Sequence, residues 1–78
     1  VYPNPTQGVV TIHFNVNQSA DYMIRVFNTI GEDIFNEKLY NYKGDYSKSI
    51  DLSSYTKSSY FLEIKSKSTV INKKIILQ

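Results

Sequence analysis

The chain has 78 residues, with no cysteine, nine basic and seven acidic side chains, and 41% apolar residues. That length suits one small domain, and that balance excludes a disordered tail. A net charge of +2 is too small to suggest a nucleic-acid partner, and without thiols neither a disulfide framework nor a thiolate metal site is available.

The charge is unevenly spread. Residues 1–51 hold four basic and six acidic groups, whereas 52–78 hold five lysines and only Glu63. The chain opens on Val1-Tyr2-Pro3, with no Met and no signal-peptide pattern, so it reads as a segment of a longer protein. Pro3 and Pro5 fix their own φ and bias Tyr2 and Asn4 towards extended conformations. The segment therefore reads as a stiff lead-in to a first strand, with Thr6-Gln7-Gly8 as the turn into it.

From there the apolar period is two. Val10, Ile12, Phe14 and Val16 alternate with Thr11, His13 and Asn15, which predicts a half-buried strand. Asn17-Gln18-Ser19 reads as a turn, and Tyr22, Ile24 and Val26 as a second strand. Asn28-Thr29-Ile30-Gly31 is a further turn, in which Gly31 can take the positive φ of a short hairpin. Weaker strands follow over 32–39 and 46–52, separated by Lys43-Gly44-Asp45. Asp51-Leu52-Ser53-Ser54-Tyr55 predicts a tight turn or single helical turn, capped by Asp51 and Ser53. Tyr60, Leu62 and Ile64 mark another strand, Ser66-Lys67-Ser68 a turn, and 69–77 the last strand. Strands at intervals near ten residues predict an all-β fold, an antiparallel sandwich of about seven short strands. The apolar run Ile75-Ile76-Leu77 is far too short for a membrane helix.

Chemistry is scarce. His13 is the sole histidine and falls on the polar side of its strand, as a solvated surface residue would. Asp33 with Glu37 and Asp45 with Asp51 show no compelling carboxylate pairing. Gly8, Gly31 and Gly44 are isolated and serve turns, not a phosphate loop. No catalytic, metal or cofactor site and no small-molecule substrate is expected, which leaves a binding, anchoring or targeting module. Tyr40 and Tyr42, two apart, would share a face as a sugar platform, although tyrosine is also an ordinary strand former. Lys65, Lys67, Lys73 and Lys74 read either as gatekeepers against edge-to-edge pairing or as a patch for an anionic surface. Asn17-Gln18-Ser19 is a formal glycosylation sequon of low specificity.

Taken in order, these pieces resemble the type IX secretion system (Por secretion system) C-terminal sorting domain. Tyr2-Pro3-Asn4-Pro5-Thr6-Gln7-Gly8 before a strand is similar to that family's opening motif, and Val26-Phe27-Asn28-Thr29-Ile30-Gly31-Glu32 to its middle motif. Ile50-Asp51-Leu52-Ser53-Ser54-Tyr55 with Ser59-Tyr60-Phe61-Leu62-Glu63-Ile64 resembles the third, except that Ser59 stands where the family has Gly. Lys73-Lys74-Ile75-Ile76-Leu77 resembles the basic-then-apolar ending.

The resemblance implies an Ig-like β-sandwich at the C-terminus of secreted Gram-negative cargo. It implies transit through the periplasm, recognition by an outer-membrane translocon, and in many cargoes removal by a sortase-like peptidase with attachment to the cell surface. The residues that carry its motifs or its recognition would be Tyr2, Pro3, Asn4, Pro5, Gly8, Gly31, Glu32, Asp51, Leu52, Ser53, Tyr60, Lys73 and Lys74, of which Pro3, Asn4, Pro5 and Gly8 would fix the entry of the first strand rather than touch the receptor. Strand-mediated self-association is a further expectation for an exposed last strand. The alternative is an accessory carbohydrate-binding or adhesion module of an extracellular enzyme, and a third reading is a structural spacer.

Overall fold

The computed structural model describes residues 7–78. It is all-β and antiparallel, with strands β1 (Val9–Phe27), β2 (Asp33–Asp51), β3 (Ser59–Lys65) and β4 (Val70–Ile76). They form one sheet in the order β2-β1-β3-β4. The expected seven short strands in an Ig-like sandwich are therefore corrected to four strands in a single sheet. The reason lies in β1 and β2, which are 19 residues each and swallow the turns expected at Asn17-Gln18-Ser19 and Lys43-Gly44-Asp45.

At both places the ladder slips instead of ending. Pairing runs without a break from Val9↔Asp51 to Val16↔Gly44, shifts around Ala20↔Tyr42, and resumes at Tyr22↔Leu39. The partners of the buried face switch from even-numbered residues (Tyr46, Lys48, Ile50) to odd ones (Leu39, Glu37, Phe35). A strand has a strict period of two, so this change of parity needs extra residues in unusual conformations. Asn41 (φ 48°) and Gly44 (φ 105°) supply them. None of these residues is proline, so no ladder donor is lost and the turn residues become bulges.

The slip bends the sheet back on itself. Phe14 and Tyr22 lie on the same strand, eight residues apart, yet their rings are 6.3 Å apart. A straight strand would separate them by about 26 Å. The fold in the ribbon encloses the core: Val10 and Ile12 from one half of β1 and Ile24 and Val26 from the other. Leu62 and Ile64 of β3, Ile75 of β4, and Leu52 and Leu77 beyond the strand ends complete it. The backbone N–H of Leu52 donates to Gly8 (2.8 Å) and that of Leu77 to Ser58 (2.9 Å), which closes the ends.

Tyr60 opens β3 and is 4% exposed. Its hydroxyl donates to the carbonyl of Thr56, four residues upstream. A tyrosine bonded back to upstream backbone at a strand entrance is the corner device that pins a crossing connection in Ig-like domains. Here it pins the 52–58 connection over the core.

Candidate recognition surface

The β1–β2 hairpin is organised by Asn28. Its Oδ1 accepts from the backbone N–H groups of Ile30 (3.1 Å) and Glu32 (2.9 Å), while its Nδ2 donates to the Glu32 carboxylate (2.9 Å). The Asn28 N–H donates to the Glu32 carbonyl and the Gly31 N–H to the Asn28 carbonyl. Gly31 sits at φ 85°, where a Cβ is unfavourable. One side chain thus satisfies most of the loop, and Ile30 is lifted out at 78% exposure.

Across from this hairpin lies the 52–58 connection. Asp51 Oδ1 accepts from the Ser53 N–H (2.9 Å), and the Tyr55 N–H donates to the Leu52 carbonyl (2.9 Å), so the segment is a tight turn, not a helical one. The cap expected from both Asp51 and Ser53 comes from Asp51 alone. Hydrogen bonds from Ser53 hold the Asp51 carboxyl below its usual range. Leu52 is buried completely and anchors the turn. Gly8 approaches closely behind it, where an added Cβ would stand 3.4 Å from that of Ser53.

Between the two loops is a cleft of about 560 Å³, with Asn28, Ile30 and Glu32 on one wall and Tyr55, Thr56 and Tyr60 on the other. Tyr55 packs edge-to-face on Tyr60 at 6.5 Å. Gly31 and Glu32 are thereby brought to the same end of the molecule as Tyr60, with Asp51, Leu52, Ser53 and Gly8 forming the support of the second wall.

Lys73 and Lys74 do not join that cleft; both line a second groove, although their side chains leave the strand on opposite faces. Lys73 pairs with Leu62, and Lys74 with Phe61. Neighbours in a strand point to opposite faces, so Lys73 lies on the core side and Lys74 on the outer side. Lys73 stands with Ile12 and Ile71 at the open rim of the core. Lys74 borders a groove of about 380 Å³ beside Phe27 and Phe61, whose rings stack at 5.7 Å.

Arg25 sits at the centre of this outer face and escaped the sequence reading. Its guanidinium lies 4.2 Å from the centre of the Phe27 ring, with Asp33 at 3.2 Å and Glu63 at 3.5 Å. Its signal was only its position among apolar neighbours on a strand. Asn28 was equally hidden, because only the loop conformation reveals how many groups it bonds.

The tyrosine platform is also corrected. Asn41, at positive φ, breaks the alternation, so Tyr40 is 72% exposed while Tyr42 packs edge-on against Tyr46 at 6.2 Å. His13 is exposed, in keeping with a surface residue. Tyr2, Pro3, Asn4 and Pro5 lie outside the described residues.

No curated protein and no solved structure matches the chain. The family model described as secretion system C-terminal sorting domain matches residues 1–78, the whole length given. With its ordered turns at Gly31 and Asp51 and its pinned Tyr60, the chain belongs to the family of type IX secretion C-terminal sorting domains.

Proposed function

We propose that residues 1–78 form a single sorting domain of a longer secreted protein, which delivers its cargo to the outer-membrane translocon of the type IX system. The family match over the whole chain carries this reading. A sorting-signal family of this kind is not itself catalytic, and its members engage the secretion machinery for export through the outer membrane to the secreted or cell-surface state. Transit through the periplasm, removal by a sortase-like peptidase and surface attachment belong to the same proposal.

The folded surface is what such a machinery would read. Gly31, Glu32 and Tyr60, supported by Gly8, Asp51, Leu52 and Ser53, shape one end into a cleft of fixed geometry. Lys73 and Lys74 would orient the docked domain. Strand-mediated pairing would be a second use of β4, an edge strand.

The test is to append residues 1–78 to a fluorescent reporter that already carries a signal peptide, in a host with an intact type IX system. Reporter outside the cell only when the domain is present supports the reading. Retention with and without the domain removes it and moves attention to sugar binding, which a glycan array would detect.

A further inference from the structure

The outer face carries a basic groove that the cleft and the β4 lysines do not include. Met23 of β1 pairs with Lys38 of β2 on one side and Lys65 of β3 on the other. The two lysines therefore stand in one cross-strand row, their Cα atoms about 10 Å apart. Lys67, from the β3–β4 turn, lines the same groove, as does Asp21. Asp21 is already engaged, because its Oδ1 accepts from the Asn41 N–H at 3.0 Å. Arg25 takes up Asp33 and Glu63 in ion pairs of its own. Three lysines thus line one groove in which Asp21 is the one acidic residue, which leaves a local excess of positive charge.

We propose that this groove docks an acidic segment of a protein partner, one with an apolar side chain among its carboxylates; if the sorting reading holds, that partner is a component of the export machinery. Charge complementarity requires the acids. The apolar part follows from the floor, where Met23 lies between the two lysines, with Tyr40 standing 72% exposed beside it. A phosphate backbone would use the lysines and leave that floor idle. At about 310 Å³ the groove is at the small end of ligand pockets, which run from roughly 300 Å³ upwards. It takes a short stretch of chain.

The experiment compares the wild-type chain with Lys38→Glu/Lys65→Glu/Lys67→Glu and with a control that adds negative charge at exposed β2 positions away from the groove, Lys43→Glu/Ser47→Glu/Ser49→Glu. Each is titrated with a fluorescein-labelled Asp-Glu-Phe-Glu-Asp peptide, and each is run through the reporter export assay, with thermal melts confirming that it folds. An exposed charge pair is worth up to about five-fold, so reversing three should weaken peptide binding by on the order of ten-fold. Export should fall with it, while the control keeps both. Equal binding or equal export of the two triple variants overturns the proposal. So does binding to phosphatidylglycerol vesicles in place of the peptide, which would make the groove a membrane contact. Failure of the wild-type chain to export removes the sorting reading instead, and the titration still decides the docking.

Discussion

The hydroxyl of Tyr46 donates to the carboxylate of Glu37, nine residues earlier on the same strand. In a straight strand those residues would lie about 30 Å apart, so the bond exists only because β2 doubles back. Lys48 repeats the relationship, its Nζ lying 6.0 Å from the centre of the Phe35 ring. The bend that encloses the core is thus clasped along the β2 edge by side chains from the strand's own two halves. Tyr46→Phe should cost about 1.5–3 kcal/mol in urea unfolding, as expected for a bond to a charged acceptor.

The same bond sets an alkaline limit. Burial, and then the Glu37 carboxylate, push the Tyr46 phenol well above its ordinary value of 10.0. The folded state therefore keeps a proton that the unfolded state releases. Its contribution is complete below that ordinary value and declines as pH rises past it. Unfolding free energies measured from pH 8 upwards should fall more steeply in wild type than in Tyr46→Phe. Parallel curves would show that the phenol titrates normally.

Asp51 sets a limit at the acid end, with the opposite sign. Its carboxyl is held below the ordinary 3.8 by hydrogen bonds from Ser53. The benefit is present above that value and is lost as pH falls through the folded one. Asp51→Asn, which keeps an acceptor oxygen but cannot titrate there, should show a shallower loss of stability on acidification.

Two substitutions in the β1–β2 loop and one behind the Asp51 turn should rank by geometry. Asn28→Ala deletes the acceptor for two backbone N–H groups and the donor to Glu32, and should cost about 1–3 kcal/mol. Gly31→Ala places a Cβ at φ 85°, at a cost of about 1–2 kcal/mol. Gly8→Ala meets Ser53 at an ordinary contact of 3.4 Å and should be close to neutral. Chemical denaturation of the three orders them, and Gly8→Ala as the most damaging would contradict the close but tolerant approach described.

Lys73 and Lys48 occupy core-side positions of the two edge strands, opposite Leu62 and Ile12. An inward charge on an edge strand obstructs pairing with another molecule. Lys73→Ile should make the domain self-associate more than wild type in sedimentation or light scattering, whereas Lys73→Arg should associate no more than wild type. Lys74→Ala, on the outer face, should leave association unchanged. Identical behaviour of Lys73→Ile and wild type would show that the charge does not guard the rim.

The sequence carried the face of each strand well. The alternation of Val10, Ile12, Phe14, and of Tyr60, Leu62, Ile64, matches the buried positions, because burial on one side of a sheet imposes that period. Gly31 and Asp51 were legible as turn formers, since each has a local chemistry that needs no knowledge of the fold. The joining of strands was not. Asn17-Gln18-Ser19 and Lys43-Gly44-Asp45 have the composition of turns, and only the pairing of the residues on either side, Val16 with Gly44 and Ala20 with Tyr42, carries the ladder past them as bulges. The same non-local register separates Tyr40 from Tyr42. It also aligns Lys38 with Lys65, 27 positions apart in the chain.

The most direct test of the sorting function places the signal peptide, reporter and residues 1–78 in two hosts, one with an intact type IX system and one lacking its translocon. Reporter in the medium or on the surface of the first host, and only in the periplasm of the second, is the expected result. Folded domain retained in the periplasm of both, or released equally by both, would contradict a sorting role.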